Sequence, residues 1–176
     1  THEFTDKISG WNRSRFIPVD YDEDGKLLHV LFCIECIEEE KKRENRLIYL
    51  AQTDLMTGLC NRGSGEKKIT EFLKEKTGGL LCLIDCDKFK SINDNYGHSV
   101  GDKVIIAVAE KLQKTCRDSD VVLRLGGDEF AVCSVYDAFD DESLKEYIIK
   151  KAEQVKKANQ RSYTDGVNVV NITSSI

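Results

Sequence analysis

The 176-residue sequence predicts an α/β layered domain preceded by a β-hairpin and a connector helix. Three observations carry that expectation. Apolar residues recur at helical spacing over 99–116 and 141–160. Short apolar runs at 79–86, 121–125 and 130–135 stand between the helical segments and read as strands. Asp22-Glu23-Asp24-Gly25 and Gly126-Gly127 interrupt apolar runs as turn signals and so mark two hairpins.

Composition narrows the class. A hydrophobic content of 40% with 32% charged residues is that of a folded globular chain and excludes disorder. The net charge of −5 argues against a general nucleic-acid binder, which presents a basic face. It leaves nucleotide substrates open, because metal ions and backbone N–H groups can hold phosphates.

In chain order, residues 11–19 partly alternate and lead into the acidic turn, and Leu27 to Ile37 reads as a buried return strand. Residues 38–52 are helix formers with almost no breakers. In a heptad register Ile37, Glu44 and Ala51 share one position and Lys41, Ile48 and Leu55 another. That seam is half apolar and suits a connector helix or a weak coiled coil. Beyond it, 64–76 is expected to be helical and 79–86 a strand buried on both faces. Ser99 to Cys116 places Val104, Val108 and Leu112 on one helix face, and 121–125 with 130–135 forms a hairpin around the two glycines. Asp141 to Gln160 is a helix with Leu144, Ile148, Ala152 and Val155 at helical spacing, and Val167 to Ile172 alternates like a strand. The expected divisions are 1–37, 38–53 and 54–176.

The seven cysteines are odd in number and scattered through apolar segments, which points to reduced thiols and a cytoplasmic setting. Cys33 and Cys36 form a CxxC without a second pair or a nearby His, so zinc is not expected. No run reaches the roughly 20 apolar residues of a membrane-spanning helix. The chain starts in mid-pattern without Met and is expected to be part of a longer protein. Asp20-x-Asp22-x-Asp24-Gly25 imitates the opening of a calcium loop, but Leu31 stands where a bidentate Glu is needed and strands flank the segment.

Two clusters could carry chemistry. In the first, an apolar strand ends in Asp85-Cys86-Asp87-Lys88-Phe89-Lys90, followed by Asn93, Asp94, Gly97, His98, Gly101 and Asp102. Carboxylates at a strand end can hold Mg²⁺, a hard ion that shares oxygen ligands with substrate phosphates. In the second, Gly126 and Gly127 let backbone approach a ligand closely, and Asp128 and Glu129 add metal ligands or a base.

Gly126-Gly127-Asp128-Glu129-Phe130 spells the signature of the GGDEF diguanylate cyclases. The run from Asp85 to Asp102 resembles that family's strand-and-loop motif, and Asp54-x-x-Thr57-Gly58-Leu59-x-Asn61-Arg62 resembles its opening motif. The resemblance spans 54–176 and implies a mainly antiparallel sheet flanked by helices, related to nucleotidyl cyclase and polymerase palm folds. It implies condensation of two GTP into cyclic di-GMP and two pyrophosphates. Asp85, Asp128 and the Cys86 backbone carbonyl would bind two Mg²⁺ or Mn²⁺ per GTP. Gly126 and Gly127 would approach the phosphates, Lys90 would stabilise their charge, and either Asp128 or Glu129 would assist deprotonation of the attacking hydroxyl. Asn93 and Asp102 would read guanine, whose N1–H and N2–H₂ donors suit a carboxylate. His98 would touch substrate or brace the loop. Because one domain holds one GTP, catalysis would need a homodimer, with the connector helix controlling it.

Arg117-Asp118-Ser119-Asp120 stands where the family places its product-inhibition site, with Arg117 on a guanine and Asp120 on its Watson–Crick edge. The family domain normally continues beyond Ile176, with a last helix that carries basic residues. The hairpin with Trp11, Arg13 and Arg15 resembles the end of a PAS sensor domain. A rival reading is a module that binds GTP or cyclic di-GMP without turnover, as degenerate family members do; the presence of both Asp128 and Glu129 favours the enzyme.

Overall fold

The computed structural model describes residues 2–6, 10–75, 78–136, 141–164 and 169–175. Its contacts divide the chain into two compact units, residues 1–49 and 50–176.

In the first unit β1 (His2–Asp6), β2 (Gly10–Tyr21) and β3 (Leu27–Cys36) form an antiparallel sheet in that order. The β2–β3 turn is built by Asp22, whose Oδ1 accepts from the amides of Asp24 (3.1 Å) and Lys26 (2.8 Å). Its carboxylate is thus committed to the turn. β1 adds a strand to the expected hairpin. The expectation of a buried β3 is corrected: Phe32 and Ile34 are exposed, because no described element of this unit lies over them. The helix α1 (Glu38–Gln52) opens with Glu38, Glu39 and Glu40, the sign its N-terminal dipole favours. Arg13 joins this turn to the sheet by pairing with Glu40 (2.8 Å) and Glu3 (2.9 Å).

The second unit runs β4 (Cys60–Asn61), α2 (Arg62–Glu75), β5 (Gly78–Cys86), α3 (Phe89–Tyr96), α4 (His98–Thr115), β6 (Val121–Gly126), β7 (Glu129–Tyr136), α5 (Asp141–Asn159), β8 (Arg161–Thr164), β9 (Val169–Ile172) and β10 (Ser174–Ser175). Among the described residues, one sheet has the order β10-β5-β7-β6-β4, antiparallel except for the β4–β6 pair, and β8 with β9 forms a separate hairpin. The apolar stripe of α4 covers one face of the sheet: Val104, Val108 and Leu112 join Cys82, Ile84, Phe130 and Val132 in the core. Each such side chain, fully buried, stabilises by about 1.5–3 kcal/mol. On the other face, Ile69 and Phe72 of α2 pack on Val121, Leu123, Ala131 and Cys133 of β6 and β7.

β5 corrects a second expectation. It alternates rather than being buried on both faces: Cys82, Ile84 and Cys86 point into the core, whereas Leu81 and Leu83 are 55% and 58% exposed. The reason is the sheet order, since the apolar side chains of α2 pack on β6 and β7 rather than over Leu81 and Leu83. Within Asp85 to Asp102, likened to a strand-and-loop motif, the chain forms the two turns of α3 over Phe89–Tyr96. Ile92 is buried and Phe89 packs against the core, so tertiary contact carries a helix too short to show a period. Of the strand expected over 167–172, Val167 and Asn168 lie outside the described residues, and Val169–Ile172 forms β9.

Candidate active site

Antiparallel pairing gathers the first two clusters. β5 runs from Gly78 opposite Tyr136 to Asp85 opposite Glu129, so the strand ends where the β6–β7 turn begins. The Cys86 amide donates to the Asp128 carbonyl (3.3 Å), and on the other flank Ser174 and Ser175 lie opposite Cys86 and Asp85. Asp85, Cys86, Gly126, Gly127, Asp128 and Glu129 therefore share one end of the sheet. Gly126 has φ 152° and Gly127 φ 53°, the left-handed side of the map that side chains resist, and neither has an atom within 4 Å of a would-be Cβ. The turn leaves open space beside its backbone.

The electrostatics of this end are acidic. The Cys86 thiol is pushed up to about 12, by burial first and then by Asp128, Asp85 and Asp87. Three carboxylates around one buried thiol make a field that attracts cations. The donor set fits a hard divalent ion: the Asp85 carboxylate has no hydrogen-bond partner among the described residues, Asp128 is half-buried, and the Cys86 carbonyl lies between them in the chain. Among the described residues no three His, Cys, Asp or Glu side chains gather to form a closed cage. An ion here would draw further oxygens from phosphate or water, the habit of Mg²⁺.

Beside this end, α3 and α4 meet closely. A Cβ on Gly101 would collide with Asn93 Oδ1 and crowd the Phe89 ring at 3.3 Å, so glycine lets α4 approach α3. Asn93 Oδ1 is buried without a hydrogen-bond partner, an acceptor whose requirement the described residues do not meet. Asp102 follows Gly101 and is exposed on α4. Lys90 is exposed on α3, and His98 is the exposed first residue of α4.

Arg124 was not singled out from sequence, yet it joins the opening motif to the glycine turn. Its Nε and Nη2 donate to the Gly127 carbonyl at 3.0 and 2.6 Å, and its Nη1 reaches both oxygens of Asp54 at 3.1 and 3.3 Å. Asp54 also accepts from the Thr57 amide (2.9 Å) and hydroxyl (2.7 Å). Burial raises the Asp54 carboxyl, but the bonds from Thr57 and Arg124 outweigh it and hold the group below the usual carboxylate range. The signal available in sequence was a lone Arg inside the apolar run 121–125.

Arg117 and Asp120 stand apart from these groups, roughly 20 Å away at the other end of β6. The exposed Arg117 lines a groove of about 480 Å³ with Asp118, Cys116, Lys68 and Gln113, and its guanidinium lies 5.5 Å from the Tyr147 ring. Asp120 turns inward. Its Oδ2 accepts from Lys151 Nζ (2.7 Å) and the Arg117 amide (2.9 Å), with the ion-pair side chains 3% and 4% exposed. A charge beside the apolar face of Ile148, Ala152 and Val155 was the legible sign of Lys151.

Known proteins resemble this chain in sequence and in fold. The family model described as "Diguanylate cyclase, GGDEF domain" matches residues 51–176. The probable diguanylate cyclase DgcC of Escherichia coli is 45% identical over 95 residues, 52% of this chain and 26% of that protein. Diguanylate cyclase DgcM of the same organism is 41% identical over 107 residues, 58% of this chain and 26% of its own length. The chain thus spans about a quarter of these curated relatives. Among solved structures, the GGDEF domain of TpbB (YfiN) from Pseudomonas aeruginosa is 31% identical with a TM-score of 0.59, covering 69% of this chain and 71% of that one. The coiled coil and GGDEF domain of DgcB from Caulobacter crescentus, solved with c-di-GMP, shares the fold at a TM-score of 0.66 and 24% identity over 79% and 74%.

Proposed function

The chain belongs to the GGDEF family of diguanylate cyclase domains, and from that premise we propose that it condenses two GTP into cyclic di-GMP and two pyrophosphates. The observation that carries this is the convergence of Asp85, the Cys86 carbonyl and Asp128 beside the open Gly126-Gly127 turn. Asp85, Asp128 and that carbonyl would hold two Mg²⁺ or Mn²⁺, which when bound neutralise phosphate charge and lower the pKa of the attacking 3′-hydroxyl. Gly126 and Gly127 admit the phosphates, Lys90 adds positive charge, and Asp128 or Glu129 takes the hydroxyl proton. Asn93, with its unmet acceptor, and Asp102 accept from the guanine edge, while His98 contacts substrate or steadies the loop.

Each domain offers one GTP site, so two copies face each other in the active species. The first unit is read as the end of a PAS-like sensor, with α1 as the connector that brings the copies together. Among the described residues no helix is long and apolar enough to cross a membrane. Product inhibition is assigned to the Arg117 groove, with a guanine on Arg117. Asp120 would take its Watson–Crick edge by exchanging its Lys151 partner.

The test is incubation of the protein with GTP and Mg²⁺ while pyrophosphate and cyclic di-GMP are followed. We expect metal-dependent product, lost at least about 100-fold in Asp128→Ala, and a slowing with accumulated product that Arg117→Ala relieves. Unchanged turnover in Asp128→Ala would remove the site assignment. A folded, GTP-bound protein that makes no product would establish the rival reading, a nucleotide receptor.

A further inference from the structure

Asp87 belongs to the acidic group around Cys86, but its bonding differs from that of Asp85. Both of its carboxylate oxygens are engaged by hydroxyls from the far end of the chain: Thr173 Oγ1 donates to Oδ2 at 2.7 Å and Ser175 Oγ to Oδ1 at 2.6 Å. Its backbone amide donates to the Thr173 carbonyl at 3.0 Å. Three hydrogen bonds thus tie one residue to both ends of a three-residue stretch. Between those ends, Ser174 lies opposite Cys86 and Ser175 opposite Asp85. Asp85, by contrast, keeps its carboxylate without a hydrogen-bond partner among the described residues.

The next residue carries strain. Lys88 has φ 58° and ψ 27°, the positive-φ non-glycine of the described chain. Such a conformation is costly for a residue with a side chain and persists where its surroundings over-determine it. Asp87, bonded through its amide and both carboxylate oxygens, is the neighbour that fixes the preceding peptide.

We infer that Asp87 is a positioning residue that clamps β10 to the end of β5, thereby fixing Asp85 and the Cys86 carbonyl, and is itself not a metal ligand. β7 holds one flank of this strand end through its ladder, and the two-residue β10 holds the other. The Asp87 side-chain bonds add to those ladder contacts on the β10 flank. The inference rests on the functional reading above for its consequence, a metal affinity set partly by residues 173 and 175.

The experiment compares Asp87→Ala, Asp87→Asn and the double variant Thr173→Val/Ser175→Ala with Asp85→Asn. The first readout is the Mg²⁺ concentration for half-maximal turnover at saturating GTP. Asp87→Ala and the double variant are each expected to raise it about tenfold, equivalent to 1.4 kcal/mol, with kcat at saturating Mg²⁺ changed less than about threefold. Asp87→Asn is expected to stay within about threefold of the parent, because hydroxyls can donate to its oxygen and accept from its nitrogen. Loss of turnover in Asp87→Asn matching that of Asp85→Asn, with a silent double variant, would make Asp87 a ligand and overturn the inference. The second readout is amide hydrogen exchange over residues 85–92. It is expected to quicken in Asp87→Ala and in the double variant, and unchanged exchange overturns the clamp. Because exchange needs no catalysis, a parent protein that makes no cyclic dinucleotide refutes the functional reading and leaves the clamp to be judged by exchange.

Discussion

Replacing Arg124 with Leu probes the joint between the opening motif and the glycine turn. The Arg124 and Asp54 side chains are 12% and 25% exposed, so the pair is shielded enough for its loss to register. The substitution removes two charged donors from the Gly127 carbonyl and two contacts from the Asp54 carboxylate, leaving Asp54 with Thr57 alone. Hydrogen bonds to charged groups are worth about 1.5–3 kcal/mol, and breaking a buried pair costs about 3–5 kcal/mol. With partial exposure discounted, about 3 kcal/mol is expected. At about 2.1 cal/mol/K per residue over residues 50–176, that is a fall in Tm of about 11 °C. Urea unfolding should report the same loss through its midpoint with an unchanged slope. Because Arg124 and Asp54 touch, Arg124→Leu combined with Asp54→Asn should cost at least about 1 kcal/mol less than the sum of the single variants. Lys at 124 should recover less than half of the loss, since an ammonium cannot fork between Gly127 and Asp54. A loss under about 1 kcal/mol in Arg124→Leu, or strict additivity in the double variant, would show that Arg124 does not brace Asp54 and the glycine turn.

Other expectations follow from single contacts. Gly101→Ala places a methyl against Asn93 and the Phe89 ring and should destabilise by about 1–3 kcal/mol, with weaker GTP binding in a titration; wild-type values would show that the seam is slack. Burial raises the Asp120 carboxyl, but Lys151 and the Arg117 amide outweigh it, so the folded group titrates below its unfolded value of about 3.9. Its stabilisation is therefore complete above that pH and is lost as pH falls through the lower folded value. Urea midpoints measured from pH 7 to 3 should show a steeper decline in the parent than in Asp120→Asn, and parallel declines would refute the assignment.

Much of the candidate site was legible because its residues are close in sequence. Asp85 to Asp102 and Gly126 to Phe130 are contiguous runs, and local pattern was enough to set them at a strand end and a hairpin tip. Pattern also placed α1, α4, α5 and the β6–β7 hairpin, since long helices show their period and paired glycines show their turn. The opposite end of each such element was harder to read. β5 was expected to be buried on both faces because Leu80 to Ile84 is an unbroken apolar run, and the packing of α2 on β6 and β7 decided that Leu81 and Leu83 stay exposed. α3 is too short to carry a period, and β4 and β10 have two residues each. The ties from Arg124 to Asp54, Asp87 to Thr173 and Ser175, and Lys151 to Asp120 span 70, 86, 88 and 31 positions. The available chemistry and its local setting are written in the chain itself, because turns, caps and amphipathic faces depend on neighbours a few residues apart. Which carboxylate is left open at the sheet end and which is consumed as a brace was decided by the tertiary structure. Asp85, Asp87 and Asp120 are the same group until strand pairing and helix packing give each its partners.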